Sequence, residues 1–225
     1  GGTDLQGEPV ITQLANGNVL VVWKEGAGGS NAIVGTIFNP VTQAVVGARE
    51  FNVTSTAGNT DVEITALGNG NWVATWSDPA LGVQCQVYDS SGAAVGSVHN
   101  VFSAGTGDPA VVATADEGFS IVAVFNGNIV ASIRDASGAQ TSVATQVTGG
   151  TNSSPQVAAL KGGGFALVYD DSDFGGQPGI GLKLSTAAQD VVIRVATFNP
   201  ALGDRDPEIT VLENGFIVVT WTHEF

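Results

Sequence analysis

One plan recurs five times along this chain, and that recurrence restricts the fold more than any other feature. Repeats begin at Glu8-Pro9-Val10-Ile11, Asp61-Val62-Glu63-Ile64, Asp108-Pro109-Ala110-Val111, Ser154-Pro155-Gln156-Val157 and Asp206-Pro207-Glu208-Ile209. Each opening is followed by a Gly-containing turn and then by an apolar run that ends in a ring residue: Trp23, Trp76, Phe125, Tyr169 or Trp221. The spacing of roughly 44–53 residues is that of propeller blades, whereas solenoid coils are shorter and a flat sandwich gives no reason for such a period.

Within a repeat the pattern is that of an antiparallel meander. Asn16-Gly17, Asn69-Gly70 and Asn214-Gly215 sit between apolar runs and predict tight primed hairpin turns. Proline at the head of the first strand is compatible with a position that donates no ladder hydrogen bond. In the second strand Val19, Val21 and Trp23 share one face, as do Trp72, Ala74 and Trp76. A third strand, such as 83–88, ends in an Asp/Gly turn such as Asp89-Ser90-Ser91-Gly92, and a fourth, such as 49–53, closes the unit. The expected fold is therefore an all-β β-propeller of about five blades, with four complete four-stranded repeats plus a half blade. It forms one domain over 1–225, with repeats at about 8–59, 60–107, 108–153, 154–205 and 206–225. Each ring residue is expected to lie in the core between neighbouring blades.

Composition narrows the partners. With 21 acidic and seven basic residues the formal net charge is −14, so phosphate backbones and anionic lipid surfaces are repelled. No apolar run is long enough to cross a membrane as a helix. A single cysteine, Cys85, excludes an internal disulfide framework, and its apolar alternating surroundings predict a buried structural thiol. Methionine is absent even at position 1, as expected of a processed chain or a segment of a longer one.

The segment from Asp61 to Trp76, followed by Gln86-Val87-Tyr88-Asp89-Ser90-Ser91-Gly92-Ala93-Ala94-Val95-Gly96, resembles tandem repeats of large secreted bacterial proteins of the RTX, hemolysin-type calcium-binding class. Pro155-Gln156-Val157-Ala158-Ala159-Leu160 and Gly47-Ala48-Arg49-Glu50-Phe51-Asn52-Val53 match further pieces of that repeat. The resemblance implies a secreted, extracellular bacterial module, often adhesin-like. The glycine-rich nonapeptide array that binds calcium in RTX tails is missing from this chain.

Two groups of acids are candidate calcium ligands. Glu8, Asp61, Asp108 and Asp206 hold the same repeat position just before the first strand, with Ser154 breaking the series. Innermost strands would bring them together at a channel mouth, where like charges call for a cation or water between them; the competing expectation is that they cap turns and keep the surface soluble. The second group is Asp171 and Asp173 in Asp170-Asp171-Ser172-Asp173-Phe174-Gly175-Gly176, part of a calcium-loop pattern without its later bidentate Glu.

No nucleophile elbow, zinc motif or Cys/His metal spacing occurs, and the two histidines, His99 and His223, lie in different repeats. The expectation is accordingly a non-catalytic binding and adhesion module, not an enzyme, that holds a glycan or an extracellular protein through loops of one face: 24–31, 77–82, 126–128 and 170–179. One alternative is a self-assembly unit whose half blade pairs with a second copy at its open edge. Another is a carbohydrate-active propeller enzyme, because the paired carboxylates of such an enzyme can be far apart in sequence.

Overall fold

Each repeat opens with a kink that its sequence prescribes. In a computed structural model, which describes residues 5–26, 32–47, 50–54, 58–142, 145–148, 152–172, 179–186, 190–197 and 204–223, Glu8, Asp61, Asp108, Ser154 and Asp206 all adopt φ of 49–54°. At each of them one extra residue enters the first strand, so that two residues face one: Glu8 and Pro9 opposite Trp23, Asp61 and Val62 opposite Trp76, Ser154 and Pro155 opposite Tyr169, Asp206 and Pro207 opposite Trp221. Short polar side chains tolerate this left-handed backbone better than most, and the unpaired bulge position makes no demand on a proline for a donor. The large ring across the strand lies opposite the bulge. In the third repeat that place belongs to Ala123, not Phe125, which lies two residues further along and pairs with Thr106.

Four sheets and a two-stranded remnant follow in chain order. The first contains β1 (Leu5–Gln13), β2 (Val19–Gly26), β3 (Ala32–Asn39), a short β4 (Ala44–Val45) and β5 (Phe51–Thr54). The second contains β6 (Thr60–Ala66), β7 (Trp72–Asp78), β8 (Gly82–Tyr88) and β9 (Ala94–Asn100). The third contains β10 (Thr106–Ala113), β11 (Phe119–Phe125), β12 (Asn128–Arg134) and β13 (Thr145–Gln146). The fourth contains β14 (Asn152–Ala159), β15 (Phe165–Asp171), β16 (Gly179–Ser185) and β17 (Asp190–Thr197), and the last pairs β18 (Asp204–Val211) with β19 (Ile217–His223). All pairings are antiparallel. The first sheet departs from the four-strand expectation, because β4 folds back on β3 before β5 pairs with the same strand.

The turns between first and second strands are three-residue loops rather than the two-residue primed turns the sequence suggests. Leu14 N–H donates to Asn18 O and Gly17 N–H to Leu14 O, with positive φ at Gly17 alone. The same arrangement recurs at Leu67 to Asn71 and Leu212 to Phe216.

First strands pack on one another in chain order, β1 on β6, β6 on β10, β10 on β14 and β14 on β18. Between sheets lie separate apolar cores. Leu20, Val22, Ile33 and Ile37 of the first sheet meet Ile64, Trp72, Ala74 and Trp76 of the second. Val73, Val83, Cys85 and Val87 meet Phe119, Ile121 and Ala123 of the third, whose Val122, Ile129 and Ala131 meet Phe165, Leu167 and Tyr169 of the fourth. A sheet covered on both faces is buried along its whole second strand, as β7 is from Trp72 to Asp78, whereas β2 alternates because only one of its faces is covered. This is β-propeller architecture, although the described residues do not form a closed ring.

Polar contacts join the sheets. Tyr88 donates its hydroxyl to Val53 O at 2.6 Å, and its ring stacks on Trp72 at 4.3 Å. Arg134, buried between the second and third sheets, donates to Gly138 O at 2.7 Å and to Asn100 O at 3.1 Å. No helix among the described residues is long and apolar enough to cross a membrane.

Candidate functional site

The bulges place an acidic side chain inside four of the five first strands, rather than just before them as the repeat suggests, and the structure then separates these acids by their partners. Glu8 is drawn aside by Lys24, whose Nζ donates to Oε1 at 3.0 Å in an exposed ion pair. Asp61 accepts from the Thr60 hydroxyl at 3.0 Å. Asp108 accepts from the Ser154 backbone N–H at 2.7 Å, so the residue that breaks the acidic series serves the acid of the preceding repeat.

Burial pushes the Asp108 carboxyl above its ordinary range; the Ser154 bond opposes this, while the charges of Asp61 and Asp206 add to it. Among the carboxyl groups the strongest perturbation is at Glu63, a position that reading the acidic ring alone does not single out. Its carboxyl is pushed up to about 7, first by burial and then by the charges of Glu208, Asp108 and Asp61. Glu208 is raised as well, by burial and by Asp206. Asp61, Glu63, Asp108, Asp206 and Glu208 thus act on one another although they come from three repeats. Glu63 and Glu208 fill the position that ends the bulge, where the other repeats carry Val10, Ala110 and Gln156. Strict alignment of the repeats would have exposed an acid at an otherwise uncharged position.

The remaining expectations fare differently. Asp171 is buried at the end of β15, where its charge adds to the burial that raises the Tyr169 hydroxyl; it is not among the charges that act on Glu63 or Asp108. Asp173 lies outside the described residues. Among the described residues, no three His, Cys, Asp or Glu side chains are grouped so as to hold a metal ion. Cys85 is fully buried and its thiol is pushed up to about 11 by burial, which keeps it from acting as a thiolate at neutral pH. Trp72, Trp76 and Tyr169 are core rings, whereas Trp221 is 37% exposed.

The Glu63 shift has a thermodynamic consequence. The folded chain holds this proton up to about pH 7, while the unfolded chain releases it near the ordinary 4.5. Stability from neutral Glu63 is therefore complete below the lower value and lost as pH rises through the upper one. Asp108 and Glu208, also raised, act with the same sign. Tm is expected to fall between about pH 5 and about pH 8, and Glu63→Gln is expected to flatten that fall in thermal melts.

No family model matches this sequence, and no curated protein sequence matches it. Solved structures do match the fold. An alpha-L-arabinofuranosidase from Clostridium thermocellum superposes with a TM-score of 0.55 at 11% identity, over 94% of this chain and 80% of its own. An endo-1,4-beta-xylanase from Bacteroides thetaiotaomicron gives a TM-score of 0.57 at 11% identity, over 96% of this chain and 83% of its own. The NanB sialidase from Streptococcus pneumoniae gives 0.59 at 15% identity, over 97% of this chain but only 38% of its own. These similarities correct the expectation of a non-catalytic adhesion module that is not an enzyme, because the architecture is shared with carbohydrate-active enzymes. The absence of a contiguous motif does not exclude catalysis, because a pair of Asp or Glu carboxyls carries no fixed sequence signature.

Proposed function

We propose that this chain is a carbohydrate-active propeller that hydrolyses glycosidic bonds at the carboxylates around Glu63. The observation that carries this reading is a half-buried acid, Glu63, pushed up to about 7 by desolvation and by other carboxyl groups. Glycoside hydrolysis uses such a division of labour: one carboxyl kept protonated at working pH, and a second carboxylate close by. Glu63 donates its proton to the glycosidic oxygen as the bond to the anomeric carbon breaks. Asp61, exposed on the same innermost strand, supplies the carboxylate that either activates a water or attacks the anomeric carbon. Burial first, and then the charges of Glu208 and Asp108, hold the proton on Glu63.

The fold shared with an arabinofuranosidase and a xylanase supports a glycan as the partner. An extracellular setting suits a polymeric substrate and agrees with the secreted repeat class that the sequence resembles. The test is release of reducing ends from arabinan, xylan and sialyllactose across the pH range. Hydrolysis should decline on the alkaline side near the Glu63 value of about 7. Absence of turnover on every glycan of a broad panel would exclude the reading.

A further inference from the structure

Four Asn-Gly pairs occur in the chain: Asn16-Gly17, Asn69-Gly70, Asn126-Gly127 and Asn214-Gly215. All four asparagines are exposed, so access to solvent does not distinguish them. Hydrogen bonding does. In three pairs the Asn Oδ1 accepts from the backbone N–H two residues on, that of Asn18, Asn71 or Phe216, at 3.0 Å in each case. The glycine N–H groups of these pairs are committed as well, to Leu14 O at 2.9 Å, Leu67 O at 3.1 Å and Leu212 O at 2.8 Å. The remaining pair is built otherwise. Phe125 pairs with Asn128, so Asn126 and Gly127 alone form the hairpin between β11 and β12, with φ of 50° and 75°. That is the primed two-residue turn that the other three pairs do not make. Such a turn closes on the groups of the flanking residues, and among the described residues neither the Gly127 N–H nor the Asn126 carboxamide has a partner.

We infer that Asn126 is a modification site, the Asn-Gly asparagine of this chain that converts spontaneously to isoaspartate in the folded protein. The inference does not depend on the hydrolytic reading. The Gly127 nitrogen, its proton taken by solvent hydroxide, attacks Asn126 Cγ. A C–N bond forms, the Cγ–Nδ2 bond breaks, and the amide nitrogen leaves as ammonia after taking a proton from water. Water then opens the five-membered imide at either carbonyl, giving aspartate or isoaspartate. Glycine offers no Cβ to crowd the attack. In the other three pairs the carboxamide and the glycine N–H must first leave their partners, and two hydrogen bonds of ordinary strength slow the reaction by about tenfold or more.

The turn stands where conversion has a structural effect. Gly127 O accepts from the Asn152 N–H at 2.7 Å, and Asn152 opens β14. Two residues further on, the Ser154 N–H holds Asp108. Isoaspartate routes the main chain through the former side chain and adds a methylene to it. The two-residue turn then loses its geometry, and Gly127 O its place against β14.

Hydroxylamine, which cleaves Asn-Gly bonds through the imide, tests the site on the wild-type chain. In the folded protein the 126–127 bond should be cut at least about tenfold faster than the other three, whereas in urea all four should be cut at similar rates. Equal or faster cutting of any other pair in the folded protein overturns the site, as does a preference for 126–127 that persists in urea. After prolonged incubation at neutral pH, tandem mass spectrometry should place isoaspartate at position 126, and its absence there overturns the site too. Freshly prepared Asn126→Asp adds the negative charge without the extra methylene and should melt like the wild type. The acidic fraction of aged wild type, isolated by ion exchange, should melt about 2–4 °C lower, the shift expected for one lost hydrogen bond in a chain of this size. An aged fraction that melts with Asn126→Asp overturns the proposed effect on the contact with β14.

Discussion

Glu63→Gln is expected to reduce glycoside hydrolysis by about 10²–10⁴-fold, the range that a positioned general acid contributes. Glutamine keeps the size of the side chain and removes the proton that the leaving oxygen needs. The same change removes a carboxyl that burial and three neighbouring carboxylates hold at about 7. The variant should therefore lose activity without losing stability, and at about pH 8 it should melt higher than the wild type. A structural residue would behave differently, since its replacement lowers Tm and activity together. The alkaline limb of the pH–rate profile should vanish with Glu63, because it reports the proton on that group. Retention of wild-type turnover in Glu63→Gln would remove Glu63 from the chemistry.

Gly82→Ala is expected to destabilise the fold by about 3–5 kcal/mol, placing it at the upper end of single substitutions. Gly82 opens β8 at a φ of +87°, and an added Cβ would lie 2.1 Å from Ser103 O and 2.6 Å from Phe102 O. These are backbone atoms on the far side of β8, anchored where Val101 and Phe102 N–H groups donate to Val83 O. They cannot rotate away as the end of a side chain would. The preceding turn is also tied, because Asp78 Oδ1 accepts from the Ala80 and Leu81 N–H groups. Gly70→Ala supplies the control. Its φ of +90° imposes the same left-handed strain, but a Cβ there meets nothing within 4 Å, so the expected loss is only about 1–2 kcal/mol. Urea unfolding of the two variants separates backbone strain from steric exclusion, and equal losses would show that the contact with Ser103 yields freely.

How far the chain can be read without coordinates differs from element to element. Pro9, Pro109, Pro155 and Pro207 do not stand at the strand heads, as the sequence suggests, but at the bulges inside β1, β10, β14 and β18, and each lies directly after a residue of positive φ. Trp72 and Trp76 share a buried face, as alternation requires. Periodicity was less informative in the third repeat, where Phe125 mimics the terminal ring while Ala123 occupies its structural place. Both residues have the same parity along the strand, so a pattern of alternation cannot distinguish them. The hairpin loops are ambiguous for a related reason: Asn-Gly serves a primed turn or a three-residue loop, and only the hydrogen bonds from Leu14 and Gly17 decide between them.

Reading the acids by position alone was also insufficient. Glu8, Asp61, Asp108 and Asp206 are equivalent by repeat, yet Lys24 neutralises the first and Ser154 binds the third. The acid with the largest shift, Glu63, stands two residues beyond the equivalent position.

Local chemistry determined the repeat, the strands and the acidic character of the bulge positions, because turn geometry and side-chain alternation act over a few residues. Tertiary structure alone decided which carboxyls meet and how strongly burial raises Glu63. Desolvation and charge repulsion depend on distances between residues of different repeats, and packing of one sheet on another depends on which sheets become neighbours. Neither quantity exists until the sheets have assembled around their common centre.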